Sequence, residues 1–441
     1  MTPDRIQEAE KNYALENPYA RLEEARFQSD FIPGQATGST AKAFGELLKH
    51  EMQTNSKFYL FSPDETTSNK LDATYEASGR AWSNLRQEPW DLKEIEDGRI
   101  VELLSENTLF AAMIGHLLSG EPAMMTSYES FFNIITSQIV QHIKFLKQAK
   151  NVTWREAYPS VNLLSTSTCW RQDHNGFSHQ SPLLMSSLLS IPNAPVNLLF
   201  PVDAKDAENH FRYMMTSDNA INLCTFNKSD EPIWLENADS YVPKLVEPAT
   251  VNSEITPARI FGFASHGDSI TLESHANDTF NLIFTAAGDI ATRESLYAMK
   301  ILKTDLPKLK MRFINIPAIS QNKIGTIDNP LSQADFDRIF KVVPPIIASF
   351  HGYPALLRNV LENYAPKSRL SVHGYEEQGS TTTPYEMLML NHASRYDLAV
   401  DAATRLGRAD LIRKYQTILD ASHDFSVANG LDHRAITDFK F

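Results

Sequence analysis

The densest group of side chains able to do chemistry lies between Trp170 and Gln180. There Arg171, Asp173, His174, Asn175 and His179 fall within nine residues, beside the apolar Phe177. Imidazoles suit proton transfer to hydroxyls and hydrogen bonding to phosphate near neutral pH. Gly176 permits a tight turn that gathers several of these side chains at one point. Chemistry alone leaves two other readings open. His174 and His179 are possible metal ligands, although their spacing matches no common zinc pattern. The stretch can also be a polar loop whose groups satisfy one another by hydrogen bonds.

The flanking sequence indicates what positions this segment. Residues 128–146 carry Phe131, Ile135, Ile139, Ile143 and Leu146 at spacings of three and four, which predicts an apolar helical stripe. Val196–Phe200 reads as a short apolar strand followed by Pro201-Val202-Asp203, with Asp203 placed to cap the next helix, and Ile221–Phe226 as a second buried strand. Strand, capped helix and strand in succession predict a parallel sheet. Further on, Leu282–Ala286 is a strand, Gly288-Asp289 a turn, Thr292–Leu302 a helix and Met311–Ile316 a strand. Pro345–Phe350 is another strand, leading into His351-Gly352-Tyr353-Pro354. Residues 1–34 are polar and Glu-rich and read as an N-terminal arm. Residues 233–257, rich in Pro, Asn, Ser and Glu, read as a linker. The expected organisation is an α/β domain over 35–232 and a second α/β domain over 258–441, each doubly wound around a mostly parallel sheet.

Composition bounds the function. The 441 residues suffice for about two or three domains, and 42% apolar with 22% charged residues is a globular balance. A formal net charge of −13 argues against general binding of nucleic acid or anionic membrane. No apolar run approaches the ~20 residues that span a bilayer, and the polar N-terminus lacks a signal core. Cys169 and Cys224 are far apart and form no CxxC pair, which argues against a disulfide framework or a structural zinc site. A cytoplasmic protein is the expectation.

The string Trp170-Arg171-Gln172-Asp173-His174-Asn175-Gly176-Phe177-Ser178-His179-Gln180, preceded by Ser160-Val161-Asn162-Leu163, resembles the signature of the xylulose 5-phosphate/fructose 6-phosphate phosphoketolases. Further matches follow in the family's order. Phe61 to Leu71 is similar to its GPDExxSN[KR]L segment, and Gly98-Arg99 through Leu104-Ser105-Glu106 to the stretch bearing its glutamate. His351-Gly352-Tyr353-Pro354 and Gly374-Tyr375 to Thr381-Thr382-Thr383-Pro384 resemble its HGYP and GYxEEGTTTTP elements. The likeness runs from roughly residue 40 to 405. It implies a fold of the thiamine diphosphate-enzyme, transketolase-like type. It also implies cleavage of a ketose phosphate with inorganic phosphate to acetyl phosphate.

The resemblance implies roles residue by residue. Glu106 would be the acid that bonds N1′ of the cofactor's aminopyrimidine and so promotes its activation. Tyr128 and Phe131 would pack around the cofactor ring and substrate, with Asn175 also on the cofactor. His174 and His179 would line the reacting centre, and Lys228 and Lys150 would serve the substrate's phosphate end. Some positions depart from the family's pattern. Asn107 stands where histidine is usual, Ser181 where aspartate is common, and Lys150 where arginine is expected. Gln378 and Ser380 alter the last element. Lys for Arg weakens bidentate phosphate recognition.

In related enzymes a GDG motif, with a later Asn, holds Mg²⁺ and the cofactor's diphosphate. This chain has no GDG; Gly267-Asp268 and Gly288-Asp289 continue with Ser and Ile. The expectation is therefore a chain resembling the C-terminal half of a phosphoketolase. It would share its thiamine diphosphate site with a separate N-terminal-type diphosphate-binding chain that carries the Mg²⁺. Sugar phosphate and inorganic phosphate would be its small-molecule partners, and an oligomer its assembly. The alternative expectation is a non-catalytic scaffold or regulatory relative.

Overall fold

A computed structural model describes residues 33–63, 65–81, 94–95, 97–235, 259–261, 264–266, 269–271 and 280–441. Apart from Pro33 and Gly34, the expected 1–34 arm lies outside the described residues, as does the expected linker beyond Leu235.

Two sheets dominate. The larger has ten strands in the order Lys323–Ile324, Ala318–Ser320, Val196–Leu199, Ile221–Thr225, Val161–Thr166, Ala123–Tyr128, Tyr59–Ser62, Ile100–Glu102, Arg80–Ala81 and Glu94–Ile95. From Val196–Leu199 onward every pairing is parallel. The central strands are buried on both faces, which is why Leu163-Leu164, Leu198-Leu199 and Leu223-Cys224 are apolar pairs rather than alternations. The smaller sheet orders Arg259–Phe261, Met311–Asn315, Leu282–Ala287, Ile346–Phe350 and Leu370–His373, with only the first strand antiparallel. The fold is thus α/β with mostly parallel sheets flanked by helices.

The two sheets are not independent. The hairpin Ala318–Ser320/Lys323–Ile324 belongs to the later part of the chain, yet it pairs antiparallel with Val196–Leu199 and extends the larger sheet. One apolar core includes Leu163, Leu198 and Leu223 of the larger sheet together with Ile283, Ile314 and Phe350 of the smaller. Phe200 meets Phe350 nearly edge-on at 5.7 Å between centroids. A second core lies among the smaller sheet and the helices Asp289–Asp305, Arg395–Arg405 and Ala409–Asn429. Trp234 and Leu235, expected to open the linker, are buried. Thr37–Gly38 pairs antiparallel with Glu231–Pro232 just before them.

Three local expectations are revised. The 128–146 stripe is not one helix. Tyr128 ends the strand Ala123–Tyr128, Phe131–Ile135 is a 3₁₀ turn, and the α-helix is Thr136–Ala149. Pairing of Ala123–Tyr128 between two parallel neighbours overrides the helical spacing at its start. Ile135, Ile139, Ile143 and Leu146 are buried as expected. Asp203 does not cap the helix Ala207–Thr216. Its Oδ1 accepts from Lys205 N and Asp206 N, and its Oδ2 from Trp234 N and Leu235 N, so it ties the turn to the segment after Pro232. The helix expected from Thr292 begins at Asp289, immediately after Gly288 (φ 113°). Among the described residues no helix is long and apolar enough to cross a membrane.

Candidate active site

From Tyr59–Ser62 the chain builds Arg80–Ala81, Glu94–Ile95 and Ile100–Glu102 on one side and then Ala123–Tyr128 on the other. Strand order therefore reverses at Tyr59–Ser62, which leaves a crevice at the carboxyl ends of the strands. Five adjacent strands deliver side chains to that edge. Glu65 follows Tyr59–Ser62, Glu106 follows Ile100–Glu102, and Tyr128 ends its own strand. The Trp170–Gln180 loop follows Val161–Thr166, and Lys228 follows Ile221–Thr225.

Tyr128 is the hub. Its ring stacks with that of Phe131 at 5.8 Å and 10°. His179 lies 5.0 Å from Phe131 and 6.2 Å from Tyr128, ring to ring. Lys228 places Nζ 4.7 Å from the Tyr128 ring centroid and 3.5 Å from its hydroxyl, a cation–π contact. The same hydroxyl donates to Ser68 Oγ at 3.2 Å, and the Tyr128 backbone N–H donates to Glu65 Oε2 at 3.0 Å. Glu106 opens the helix Glu106–Leu118, where Ser105 Oγ accepts from Thr108 N. A carboxylate in that first turn is favourable to the helix dipole. Burial pushes the Glu65 carboxyl up to about 8; the Tyr128 amide opposes this and the nearby Glu106 adds to it.

The structure thus brings together Glu106, Tyr128, Phe131, His179 and Lys228 of the expected set. His174 and Asn175 are exposed and their contacts stay within the loop. Asn175 Nδ2 donates to Gln172 Oε1 at 2.6 Å, and His174 acts on Asp173, whose carboxyl burial pushes up. Lys150 follows the 14-residue helix Thr136–Ala149 and is exposed at its far end. At 1.5 Å per residue that is about 20 Å from the end nearest Phe131. Glu65 and Ser68 lie within the Phe61–Leu71 segment but outside the expected site set. Their position three and six residues beyond a buried strand was the available signal.

The Trp170–Gln180 loop is held from both sheets. Gly176 has φ 72°, and a Cβ there would stand 3.3 Å from Ser380 Oγ. Thr382 N donates to the Asp173 carbonyl at 3.0 Å and Gln180 Nε2 to the Ser380 carbonyl at 3.3 Å. Trp170 Nε1 donates to the His351 carbonyl at 2.8 Å. Arg171 pairs with Glu231, Glu231 with Arg293 at 2.7 Å, Arg293 with Glu294 at 2.9 Å, and Glu294 with Arg395 at 2.8 Å. This chain of alternating charges is largely buried. Burial works against the charge of Glu294, but Arg395 and Arg293 outweigh it and bring the carboxyl down to about 2.

His174 and His179 form no metal-capable group with other described residues, whereas buried Glu129, Cys169 and His351 bring potential ligand atoms within 4.8 Å of one another. Glu129 Oε1 lies only 2.6 Å from His351 Nε2, a hydrogen-bond distance. Two ligands on one tetrahedral zinc would stand about 3.3 Å apart. Burial and Glu129 also push the Cys169 thiol up, away from the thiolate a metal needs. The trio is a hydrogen-bonded junction between the sheets.

Solved structures share this architecture. A transketolase complex with sedoheptulose 7-phosphate from Pichia stipitis superposes with a TM-score of 0.62 at 14% identity, over 92% of this chain and 51% of that one. Transketolase from Leishmania mexicana gives 0.60 at 12% identity, over 89% and 48%. The fold is therefore of the transketolase-like, thiamine diphosphate-enzyme type. The family pattern described as D-xylulose 5-phosphate/D-fructose 6-phosphate phosphoketolase matches residues 42–217, and that of the family's C-terminal domain matches 260–441. A probable phosphoketolase of Bradyrhizobium diazoefficiens is 33% identical over 378 residues, 85% of this chain and 45% of that protein. One from Brucella suis is 32% identical over 425 residues, 93% and 51%. The chain belongs to the phosphoketolase family and spans about half the length of these relatives.

Proposed function

We propose that this chain takes part in a phosphoketolase reaction. In it, xylulose 5-phosphate or fructose 6-phosphate is cleaved with inorganic phosphate to acetyl phosphate, an aldose phosphate shorter by two carbons, and water, with thiamine diphosphate as cofactor. The chain would act as a subunit beside a separate diphosphate-binding chain. The observation that carries this reading is the convergence of Glu106, Tyr128, Phe131, His179 and Lys228 at the carboxyl ends of adjacent parallel strands.

The residues fit the pyrimidine half of the cofactor. Tyr128 and Phe131 are half-buried, parallel aromatics able to pack a flat ring, and the Glu65 carboxyl accepts the Tyr128 N–H beside them. Among the described residues the buried hydroxyls of Ser127, Ser130 and Thr168, on the strand end and loops of the same region, have no hydrogen-bond partner. When bound, thiamine diphosphate supplies a carbon nucleophile that no protein side chain offers. Glu106 would donate its carboxyl proton to the pyrimidine nitrogen. His179, with His174 after movement of its loop, would exchange protons with sugar hydroxyls, and Asn175 would bond the cofactor from the same loop. Lys228 would neutralise the substrate phosphate while its stem covers Tyr128. Lys150, at the far helix end, would meet substrate only within an assembly of chains. Mg²⁺ and the diphosphate would be held by the partner chain. A cytoplasmic oligomer belongs to the same proposal.

Glu106→Gln tests it. The variant should retain partner binding and lose acetyl phosphate formation; an unchanged rate would overturn the role. The second reading, a non-catalytic scaffold or regulator, is favoured by Asn107 beside Glu106, where the family usually has histidine. Tight partner binding without product would support it.

A further inference from the structure

We propose that Asp289, in the domain of the smaller sheet, is a positioning residue that holds Lys228 over the Tyr128 ring. The kinetic consequence rests on the phosphate role proposed for Lys228; the placement itself does not.

Lys228 lies in the turn between the strands Ile221–Thr225 and Glu231–Pro232. A lysine side chain is a flexible stem, so where its ammonium comes to rest depends on how firmly the backbone beneath it is held. Here successive residues of the turn are tied down. Asn227 donates its backbone N–H and its side-chain Nδ2 to a single oxygen, Asp289 Oδ2, at 2.8 and 2.9 Å. The Lys228 carbonyl accepts from Ser39 Oγ at 3.0 Å, and Ser229 N donates back to Asn227 Oδ1 at 2.6 Å. A carboxylate only accepts and a backbone N–H only donates, so these partners also fix which end of the Asn227 amide faces which. The amide thereby bridges Asp289 to the far side of Lys228.

Asp289 is itself fixed. Its Oδ1 accepts from Ile290 N at 2.7 Å at the start of the helix Asp289–Asp305. The turn before it is set by Gly288, which leaves no room for a Cβ beside His351, and by the bond from His351 N to the Ala287 carbonyl at 2.9 Å. Asp289 and Asn227 are both buried, so water does not replace a bond lost between them. The same domain reaches the residue after Tyr128 through the Glu129–His351 contact. Both members of the Lys228–Tyr128 stack are therefore referenced to one unit, the Gly288–Asp289 turn with His351 beside it. An amide in place of the Asp289 carboxylate keeps the size but turns a donor toward the donors of Asn227. The turn is then released and carries the lysine off the ring.

Reductive methylation of the full chain with labelled formaldehyde keeps each lysine charged and adds methyl probes for NMR, and it needs neither cofactor nor turnover. One methyl-lysine should show a cross-peak to tyrosine ring protons that disappears in Lys228→Met and in Tyr128→Leu. Asp289→Asn should abolish this cross-peak while the signal of Lys300, on the same helix and over Phe439 and Phe441, stays in place. Asn227→Ala removes the bridge from the other side and should weaken the cross-peak; it gives the answer where Asp289→Asn does not fold. An undiminished cross-peak in either folded variant, or none in the native chain, would overturn the positioning role.

In the acetyl phosphate assay with a diphosphate-binding phosphoketolase chain, Asp289→Asn should raise the KM for sugar phosphate by about 10-fold, with a smaller change in kcat. Added to Lys228→Met it should raise KM by less than about 2-fold further, because both changes act through one ammonium. Full additivity would mean that Asp289 only ties the domains together, and would overturn the role. No acetyl phosphate from the native chains, with the NMR result as expected, would sink the phosphoketolase reading alone.

Discussion

Glu129 Oε1 and His351 Nε2 lie 2.6 Å apart with both side chains buried, and they join the larger sheet to the smaller one residue from Tyr128. Burial disfavours a charged His351, but Glu129 and then Asp289 outweigh it and hold the imidazole above its ordinary value of 6.5. A raised folded pKa gives stability that is fully present below the unfolded value and lost as pH rises through the folded one. Urea midpoints compared at about pH 6 and about pH 9 should fall more for the native chain than for His351→Gln. Equal falls would show that the pair does not contribute.

Glu294 and Arg395 make the complementary case. Truncating one partner of a buried ion pair costs about 3–5 kcal/mol, because the other charge is left uncompensated. Arg395→Met should therefore destabilise by that order, and Glu294→Gln combined with Arg395→Met by less than the sum of the two singles. Glu294 has a depressed folded pKa of about 2, so its contribution is present above the unfolded value and is lost as pH falls toward 2. A double-mutant cycle by urea denaturation checks the coupling.

Gly288 separates the strand Leu282–Ala287 from the helix Asp289–Asp305 at φ 113°, and a Cβ there would lie 2.7 Å from the His351 Cβ. Gly288→Ala should cost more than the ~1–2 kcal/mol of an unfavourable backbone conformation alone, since it also displaces His351. Thermal unfolding measures it.

Lys228 is stacked over Tyr128, and the role proposed for it is to neutralise the substrate phosphate. A charge-assisted hydrogen bond is worth about 1.5–3 kcal/mol. Lys228→Met should then raise the KM for sugar phosphate by about 10- to 100-fold, with a smaller change in kcat. A fall in kcat alone would place the lysine elsewhere in the cycle.

Much of this was legible in the sequence. The strands Leu282–Ala287 and Ile346–Phe350 are largely apolar runs bounded by turn residues, and burial on both faces leaves little else they can be. Ala123–Tyr128 was not legible, because Thr126, Ser127 and Tyr128 at its end are polar and the following stripe has helical spacing. The hairpin Ala318–Ser320/Lys323–Ile324 was hidden too, since pairing more than a hundred residues away decides it. Within the site, the long Trp170–Gln180 string located the loop. The bond from the Tyr128 N–H to Glu65 depends on the pairing of their strands, which no local pattern encodes.

The most direct test mixes this chain with a diphosphate-binding phosphoketolase chain, thiamine diphosphate, Mg²⁺, fructose 6-phosphate and inorganic phosphate, and measures acetyl phosphate. The account predicts product that depends on both chains and disappears with Glu106→Gln. Stable association of the two chains with no acetyl phosphate would contradict it.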